Sequence, residues 1–211
     1  HELRTPLTLI LTPLQEIINK ISDRWTRNQL EYIQRNANRL LHLVNQLMDY
    51  RRAELGVFEL KVKKENAHQL IQDNFLFYDK LAHHKKITYT LHSELEDKEE
   101  LFDPNYLELI VNNLLSNAVK YSSEGAKIYV SCGEKDGKSY IRIQDEGCGI
   151  KKENISKIFE SFYREEKDRN AEGFGLGLSQ AIKIAELYGG GIYVESTKDK
   201  GSIFTFFIPK P

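Results

Sequence analysis

Apolar residues recur along the first quarter of the chain in alternating steps of four and three residues. The first run comprises Leu3, Leu7, Ile10, Leu14, Ile17 and Ile21, and the second comprises Leu30, Ile33, Ala37, Leu40, Val44 and Leu47. This spacing lines apolar side chains along one stripe of an α-helix. Ser22, Asp23 and Thr26, between the runs, are typical of a turn followed by a helix N-cap. The pattern predicts a helical hairpin over residues 1–54.

Each predicted helix also carries apolar residues beside its main stripe. They are Leu9, Leu11 and Ile18 on the first helix and Leu41, Leu43 and Met48 on the second. One partner helix cannot cover so wide a surface, whereas pairing with a second copy in a four-helix bundle would bury it. Packing of the hairpin against the rest of its own chain is the alternative. Pro6 and Pro13 are expected to bend the first helix.

The period of the apolar pattern changes after about residue 55, so we place a domain boundary there, between residues 1–54 and 55–211. Strands are predicted at residues 58–62, 87–91, 128–132, 140–143, 191–196 and 203–208. Helices are predicted at residues 66–83, 104–121 and 178–188. Asp103 as N-cap and Pro104 at the first helical position mark the start of the central helix. Strands with separate helices predict an α+β sandwich of one sheet and one helical layer.

Charge and cysteine usage exclude several classes of partner. The net charge of -1 offers no counter-charge to nucleic acid or to an anionic membrane surface. Cys132 and Cys148 lack a metal-binding spacing, so we expect reduced thiols in a reducing compartment and no zinc site. No apolar run approaches the roughly 20 residues that a membrane helix needs. Because the chain begins at His1 and its one methionine is Met48, we expect an internal portion of a longer protein.

The predicted central helix carries two asparagines one turn apart. Asn113 and Asn117 therefore share a face of the helix, with Lys120 and Tyr121 directly beyond them. Amide oxygens can bind a hard cation such as Mg²⁺ when nucleotide phosphates supply the negative charge. The alternative, which is the commoner case for such a pair, is that both asparagines are exposed helix residues that bind no ligand.

An acidic residue and two glycines follow the predicted strand that ends at residue 143. Asp145 is placed to accept a hydrogen bond from the amino group of adenine. Gly147 and Gly149 would let the backbone approach the base closely. The alternative is an ordinary turn.

Three further glycines, Gly173, Gly175 and Gly177, precede the last predicted helix. A helix N-terminus preceded by glycines presents N–H groups to an anion, and the helix dipole adds to the attraction for phosphate. Upstream, the aromatic segment at residues 159–164 is followed by an almost wholly polar stretch at residues 165–172. We expect a lid over a nucleotide at about residues 159–177, called the lid segment below. A surface loop without this role is the alternative.

Taken in order, these segments resemble the conserved boxes of sensor histidine kinases, most closely those of hybrid sensors that carry their own receiver domain. His1-Glu2-Leu3-Arg4-Thr5-Pro6-Leu7 resembles the H box, and Asn113-x-x-x-Asn117-Ala118-x-Lys120-Tyr121 resembles the N box. Asp145-x-Gly147-x-Gly149 is similar to the G1 box, Phe159-x-x-Phe162 to the F box, and Gly173-x-Gly175-x-Gly177-Leu178 to the G2 box. The five motifs span essentially the whole chain.

The resemblance implies a dimerisation and histidine phosphotransfer domain followed by a Bergerat-type (GHKL) ATP-binding α/β sandwich. It further implies ATP and Mg²⁺ as cofactors, a homodimer, and phosphoryl transfer to an aspartate of a response-regulator receiver domain, on the same or another polypeptide. Phosphatase activity towards that regulator also belongs to the family. We expect the cytoplasmic portion of a membrane-anchored sensor, itself without contact to membrane or nucleic acid.

The same resemblance assigns roles to individual residues. His1 would accept the phosphoryl group, Glu2 would accept the imidazole N–H proton, and Thr5 would orient water for dephosphorylation of the regulator. Nucleotide-binding positions are Asn113, Asn117, Lys120, Tyr121, Asp145, Gly147, Gly149, Ile150, Phe162, Arg164, Gly173, Gly175, Gly177 and Leu178. The metal ligands would be Asn117 and Asn113. Phe174 departs from the family pattern, which has a small or hydroxylated residue there in many members.

The residue type at position 113 distinguishes a histidine kinase from other ATPases of this superfamily. Chaperone, topoisomerase and mismatch-repair relatives have a glutamate general base four residues before the magnesium asparagine. An amide cannot take a proton at neutral pH, so the acceptor must already be nucleophilic. A neutral imidazole, with an ordinary pKa of about 6.5, meets that need. His1 lies two positions before Leu3 and so points away from the apolar stripe, whereas His83 and His84 lack such a context. A dimeric phosphatase or scaffold with a vestigial ATP site is the competing class.

Overall fold

Residues 4–54, 60–95, 99–165 and 174–209 are described by a computed structural model. The chain divides into two compact units, His1–Gly56 and Val57–Pro211. Each unit is described by itself below.

The N-terminal unit is a helical hairpin of α1 (Arg4–Lys20) and α2 (Arg24–Glu54), as the apolar periodicity predicts. Asp23 caps α2, because its Oδ2 accepts a hydrogen bond from Thr26 N at 2.8 Å. The helix therefore begins at Arg24, earlier than the sequence suggested. Leu14, Ile18 and Ala37 are buried between the helices.

Much of the apolar surface of the hairpin stays exposed in the single chain. Exposed members of the predicted stripes are Ile10, Ile17, Ile33 and Leu40, and Leu9 beside them is 69% exposed. Exposed apolar surface of this kind marks an interaction site. Its burial by a second copy stays a prediction.

The second unit mixes strands and helices around one main sheet. In chain order its elements are β1 (Lys63–Asn66), α3 (Ala67–His84), β2 (Thr88–Ser93), β3 (Glu99–Phe102), α4 (Pro104–Tyr121), β4 (Lys127–Lys135), β5 (Lys138–Asp145), α5 (Gly177–Leu187), β6 (Gly191–Thr197) and β7 (Gly201–Pro209). The five-stranded sheet has the order β2-β4-β5-β7-β6. The β2 and β4 strands are parallel, and the other neighbours are antiparallel.

One face of this sheet carries the hydrophobic core. Inward positions alternate along the strands, as at Ile128, Val130 and Cys132 of β4, and the helices contribute residues such as Leu114 of α4 and Ile184 of α5. Period-two burial on strands facing helical stripes gives a two-layer α/β sandwich. The predicted fold class is confirmed.

The turn between β4 and β5 is shorter than the sequence suggested. Asp136 and Gly137 alone form it, with φ of 51° and 71°, respectively. Positive φ at both central residues is the geometry of a type I′ hairpin turn, which favours Asp-Gly. The flanking charged residues, predicted as loop, therefore lie in the strands.

The strand predicted at residues 58–62 is misplaced. Residues 58–59 lie outside the described residues, residues 60–62 are not in a strand, and β1 begins at Lys63. The position of β1 is set by its antiparallel pairing with β3. The sequence analysis missed β3 because its Glu99 and Glu100 obscure any apolar alternation. The backbone of Lys61 is bonded elsewhere, since its N–H donates to Asp103 Oδ2 at 2.7 Å.

Asp103 joins three parts of the second unit. It is 2% exposed and its Oδ1 accepts from the N–H groups of Asn105 (3.0 Å) and Tyr106 (3.4 Å) at the start of α4. Its backbone N–H donates to the Tyr188 hydroxyl at 2.9 Å. Burial raises the pKa of Tyr188 to about 12, so this hydroxyl stays protonated at neutral pH. The cap therefore fixes the start of α4 to the residue that follows α5.

Substitution Asp103→Ala is expected to lower the free energy of unfolding by about 3 kcal/mol, because three part-buried backbone N–H groups lose the carboxylate that accepts from them. Asp103→Asn keeps one carbonyl oxygen and should lose less. Urea denaturation measures both. The matched control is Asp73→Ala on the exposed side of α3, expected within about 0.5 kcal/mol of wild type. A loss below about 1 kcal/mol for Asp103→Ala would contradict the proposed cap.

Candidate active site

Asp145 is a buried carboxylate at the end of β5. It is 6% exposed, and its Oδ1 accepts a hydrogen bond from Gly147 N at 2.8 Å. Burial raises the pKa of Asp145, opposed by hydrogen bonds from the backbone of Gly147 and Ser202. A buried carboxylate whose orientation is fixed by a hydrogen bond from the following loop is suited to bind an N–H donor of a ligand.

The loop after Asp145 is packed against the C-terminal end of α4. Gly147 forms a β-bridge with Ser122, and Cys148 N donates to Tyr121 O at 3.2 Å. A side chain at Gly147 would place its Cβ 2.7 Å from Tyr121 O. The candidate base-binding loop and the helix end that carries Lys120 and Tyr121 are therefore held together.

The same loop is covered from the other side by the turn between β6 and β7. Gly149 has φ of 57°, and a Cβ there would lie 2.0 Å from Thr197 O. Asp199 N donates to Cys148 O at 2.9 Å. A glycine is required at position 149 on both counts, because the backbone conformation and the available space each exclude a side chain.

The α4 helix contributes the candidate metal ligands. Asn113 is half-buried, and its Nδ2 donates to Leu109 O at 3.0 Å, so the side-chain oxygen points away from that carbonyl. A Cβ at Gly177, the first residue of α5, would lie 2.3 Å from Asn113 Oδ1. Asn117 is half-buried one turn later, and Lys120 Nζ lies 4.8 Å from the centre of the Tyr121 ring. Ligation by Asn113 and Asn117 stays a prediction.

The two ends of the lid segment are hydrogen-bonded to each other. Phe162 N donates to Gly175 O at 2.9 Å. Phe162 has φ of 66° and is 56% exposed, and a Cβ at Gly175 would lie 2.6 Å from Tyr163 O. Asn154 Nδ2 donates to Glu165 Oε1 at 2.9 Å, next to the half-buried Arg164. The F-box and G2-box residues thus form a closed neck, the Phe162–Gly175 neck.

The α5 helix starts without a side-chain cap. Its N-cap position is Leu176, which is 2% exposed and whose side chain cannot accept a hydrogen bond. Leu178, in the first turn, packs against the core. First-turn N–H groups without an acceptor from the cap are suited to bind phosphate.

Several predicted residues cannot be placed. His1, Glu2 and Gly173 lie outside the described residues, and Thr5 lies in α1 with its side chain outside them as well. His83 and His84 are exposed on α3.

The sequence analysis missed two serines beside Asp145. Ser202 stands directly opposite Asp145 on β7, and Ser196 stands opposite Ser202 on β6. The available signal was alternation, since Ser202 occupies an inward position in register with the buried Phe204 and Phe206.

Among the described residues, no helix is long and apolar enough to cross a membrane. The same residues contain no group of three or more His, Cys, Asp or Glu side chains that could hold a metal ion.

Two family models match the chain. Residues 102–211 match the histidine kinase-, DNA gyrase B- and HSP90-like ATPase family, and residues 1–56 match the His Kinase A (phospho-acceptor) domain. Among curated proteins, histidine kinase P4 of Formosa agariphila is 36% identical over 99% of this chain and 16% of its own length. The chain spans between 16% and 37% of the lengths of the first four curated relatives that it matches.

The chain is also similar in fold to solved structures of histidine kinases. Full-length ShkA, crystallised in complex with AMPPNP, superposes with a TM-score of 0.86 at 26% identity, over 99% of this chain and 44% of that one. Histidine kinase ThkA, crystallised in complex with the response regulator protein TrrA, shares the fold with a TM-score of 0.68 at 24% identity, over 100% of this chain and 59% of that one. The chain therefore belongs to the histidine kinase-, DNA gyrase B- and HSP90-like ATPase family and, with its phospho-acceptor domain, is the catalytic core of a sensor histidine kinase.

Proposed function

We propose that this chain transfers the γ-phosphoryl group of ATP to His1 and then to an aspartate of a response-regulator receiver domain. In the first step the bond between the β,γ-bridging oxygen and the γ-phosphorus breaks, an N–P bond to the imidazole forms, and ADP leaves. The other imidazole nitrogen loses its proton to Glu2. The observation that carries the proposal is Asn113, which stands where related ATPases have a general base.

The chemical reason is the proton balance of the attack. An amide at position 113 cannot activate water or a hydroxyl group, so this position offers no base for ATP hydrolysis or for phosphorylation of a hydroxyl group. The neutral imidazole can attack without first losing a proton, since its lone pair is available at physiological pH. Phosphoryl transfer then depends on positioning and charge neutralisation.

In this proposal, described residues bind the adenine and the phosphates of ATP. Asp145 accepts from the exocyclic amine of adenine, and the loop through Gly149 and Ile150 lies along the base. The uncapped N-terminus of α5 receives the phosphates, and Lys120 and Arg164 add positive charge. AMPPNP in the complex with ShkA, which has the same fold, supports an ATP site in this family.

Mg²⁺ would be held by the amide oxygens of Asn117 and Asn113 together with phosphate oxygens. The donor set fits, because Mg²⁺ takes oxygen ligands and the Asn113 side-chain nitrogen is already bonded to Leu109 O. Bound there, the ion would neutralise charge on the phosphates. In the same proposal Thr5 orients water when the kinase dephosphorylates its regulator.

Partners follow from the same family. We infer a homodimer through the exposed apolar stripe of α1 and α2, because a four-helix bundle would cover it. The partner for phosphotransfer is a receiver domain, carried by the same polypeptide if the protein is a hybrid sensor. The complex of ThkA with TrrA supports a regulator as partner in this fold. We further propose that the chain is the cytoplasmic portion of a membrane-anchored sensor.

Incubation of the purified protein with γ-labelled ATP and Mg²⁺ tests the kinase activity. A phosphoramidate is expected, so the label on the protein should be lost in acid and retained in base. Omission of Mg²⁺ should prevent labelling. ATP binding without any such label would overturn the proposal and favour a phosphatase or scaffold.

A further inference from the structure

Asp145, Ser202 and Ser196 form a row of polar side chains across three strands. Asp145 of β5 is paired with Ser202 of β7, and Ser202 is paired with Ser196 of β6. Directly opposite residues of antiparallel strands project from the same face of the sheet. The row therefore lies on the face that also carries the core and the candidate site, and Ser196 is its far end.

The Ser196 hydroxyl connects this row to the loop after Asp145. Its Oγ accepts a hydrogen bond from Ile150 N at 2.8 Å and donates to Gly201 O at 2.9 Å. It also lies 2.9 Å from Ser202 Oγ. The Ser196 side chain thus contacts the loop, the first residue of β7 and Ser202, which stands opposite Asp145.

The direction of the Ser196–Ser202 bond follows from counting donors and acceptors once the Ser196 proton is assigned to Gly201 O. A serine hydroxyl has one proton and two lone pairs. When the Ser196 proton goes to Gly201 O, its lone pairs receive Ile150 N–H and the Ser202 hydroxyl proton. Ser202 then has only acceptor capacity left beside Asp145, a carboxylate that is itself an acceptor.

From this arrangement we propose that Ser196 is a positioning residue that makes the base pocket selective for an exocyclic amine. The inference rests on the proposed ATP site at Asp145. Ser196 anchors the Ile150 end of the loop, while the Gly147 end is anchored by Asp145 itself. Removing the hydroxyl frees that end, leaves Ile150 N–H without its acceptor and lets the Ser202 hydroxyl rotate to present a proton.

The test compares binding of ATP and inosine triphosphate, which has a carbonyl oxygen where adenine has its amine. For Ser196→Ala the affinity for ATP should fall about tenfold, while that for inosine triphosphate stays within about twofold. Ser196→Thr retains a hydroxyl and should keep the preference for ATP. Amide hydrogen exchange at Ile150 should accelerate in Ser196→Ala only. The matched control is Ser131→Ala on the opposite face of β4, which should leave both affinities unchanged.

The outcomes separate this inference from the proposed function. Equal weakening of both nucleotides in Ser196→Ala would mean a merely structural role and would overturn the inference, as would an unchanged preference for ATP. Failure of the wild-type protein to bind ATP would instead overturn the proposed function, and this inference with it. Loss of ATP preference in Ser196→Ala, restored in Ser196→Thr, supports the inference.

Discussion

Substitution His1→Gln is expected to abolish the acid-labile label completely while leaving the dissociation constant for ATP within about twofold of wild type. Glutamine has a similar reach, but its amide nitrogen is not nucleophilic, because the lone pair is delocalised into the carbonyl group. The proposed ATP site lies in the second compact unit, which does not contain residue 1. Labelling and calorimetry on the same preparation measure the two effects separately.

The matched control for this experiment is His84→Gln. His84 is exposed at the end of α3, and although Thr88 lies four residues after it, Lys85 follows it where the H box has a carboxylate. Label should persist in this variant at the wild-type level. Label that survives in His1→Gln would show that the acceptor is another residue.

Substitution Asp145→Asn is expected to weaken ATP binding about a hundredfold, which corresponds to about 2.7 kcal/mol. The amide removes a charge-assisted hydrogen bond, and its NH₂ group presents a donor to the donor of the base. Asp199→Asn is the matched control, because the Asp199 side chain is 79% exposed on the β6–β7 turn. Unchanged affinity in Asp145→Asn by calorimetry would show that the base binds elsewhere.

The pH dependence of Asp145 provides a second readout of the same variant. Since burial raises the pKa of Asp145 in the folded protein, the carboxyl takes up its proton at a higher pH than an exposed aspartate. Its contribution to stability is present below the unfolded pKa and is lost as the pH rises through the folded pKa. As the pH rises from the unfolded pKa through the folded pKa, the free energy of unfolding of Asp145→Asn should therefore increase relative to that of wild type. The wild-type affinity for ATP should fall on acidification, because the protonated carboxyl is a poorer acceptor.

Local signals located the elements that are set by local chemistry. The α4 helix begins where Asp103 and Pro104 predict, since an N-cap and a proline at the first position act within one turn. The hairpin of α1 and α2 follows from a long periodic pattern. By contrast, β1 and β3 stabilise each other by pairing across the chain, and neither carries an apolar alternation that would reveal it.

The candidate site was predictable to a similar extent. Motif order indicated Asp145, Gly147 and Gly149, and the structure places this loop between the end of α4 and the β6–β7 turn. The contacts of Ser196 were not predictable, because a single serine in a strand gives no signal until the strand order is known. Strand register brings it next to Ser202, and sequence spacing does not contain that register.

The Phe162–Gly175 neck has a consequence for how this kinase can diversify or be engineered. Once the two ends of a chain segment are joined, the entropy of closing it grows only with the logarithm of its length, by about 0.6 kcal/mol for each doubling. An insert between residues 166 and 172 is therefore expected to change the free energy of unfolding by little, while Arg164 and Gly173 are left in place. Asp145 and the start of α5 are expected to keep their places, because Phe162 and Gly175 stay hydrogen-bonded to each other.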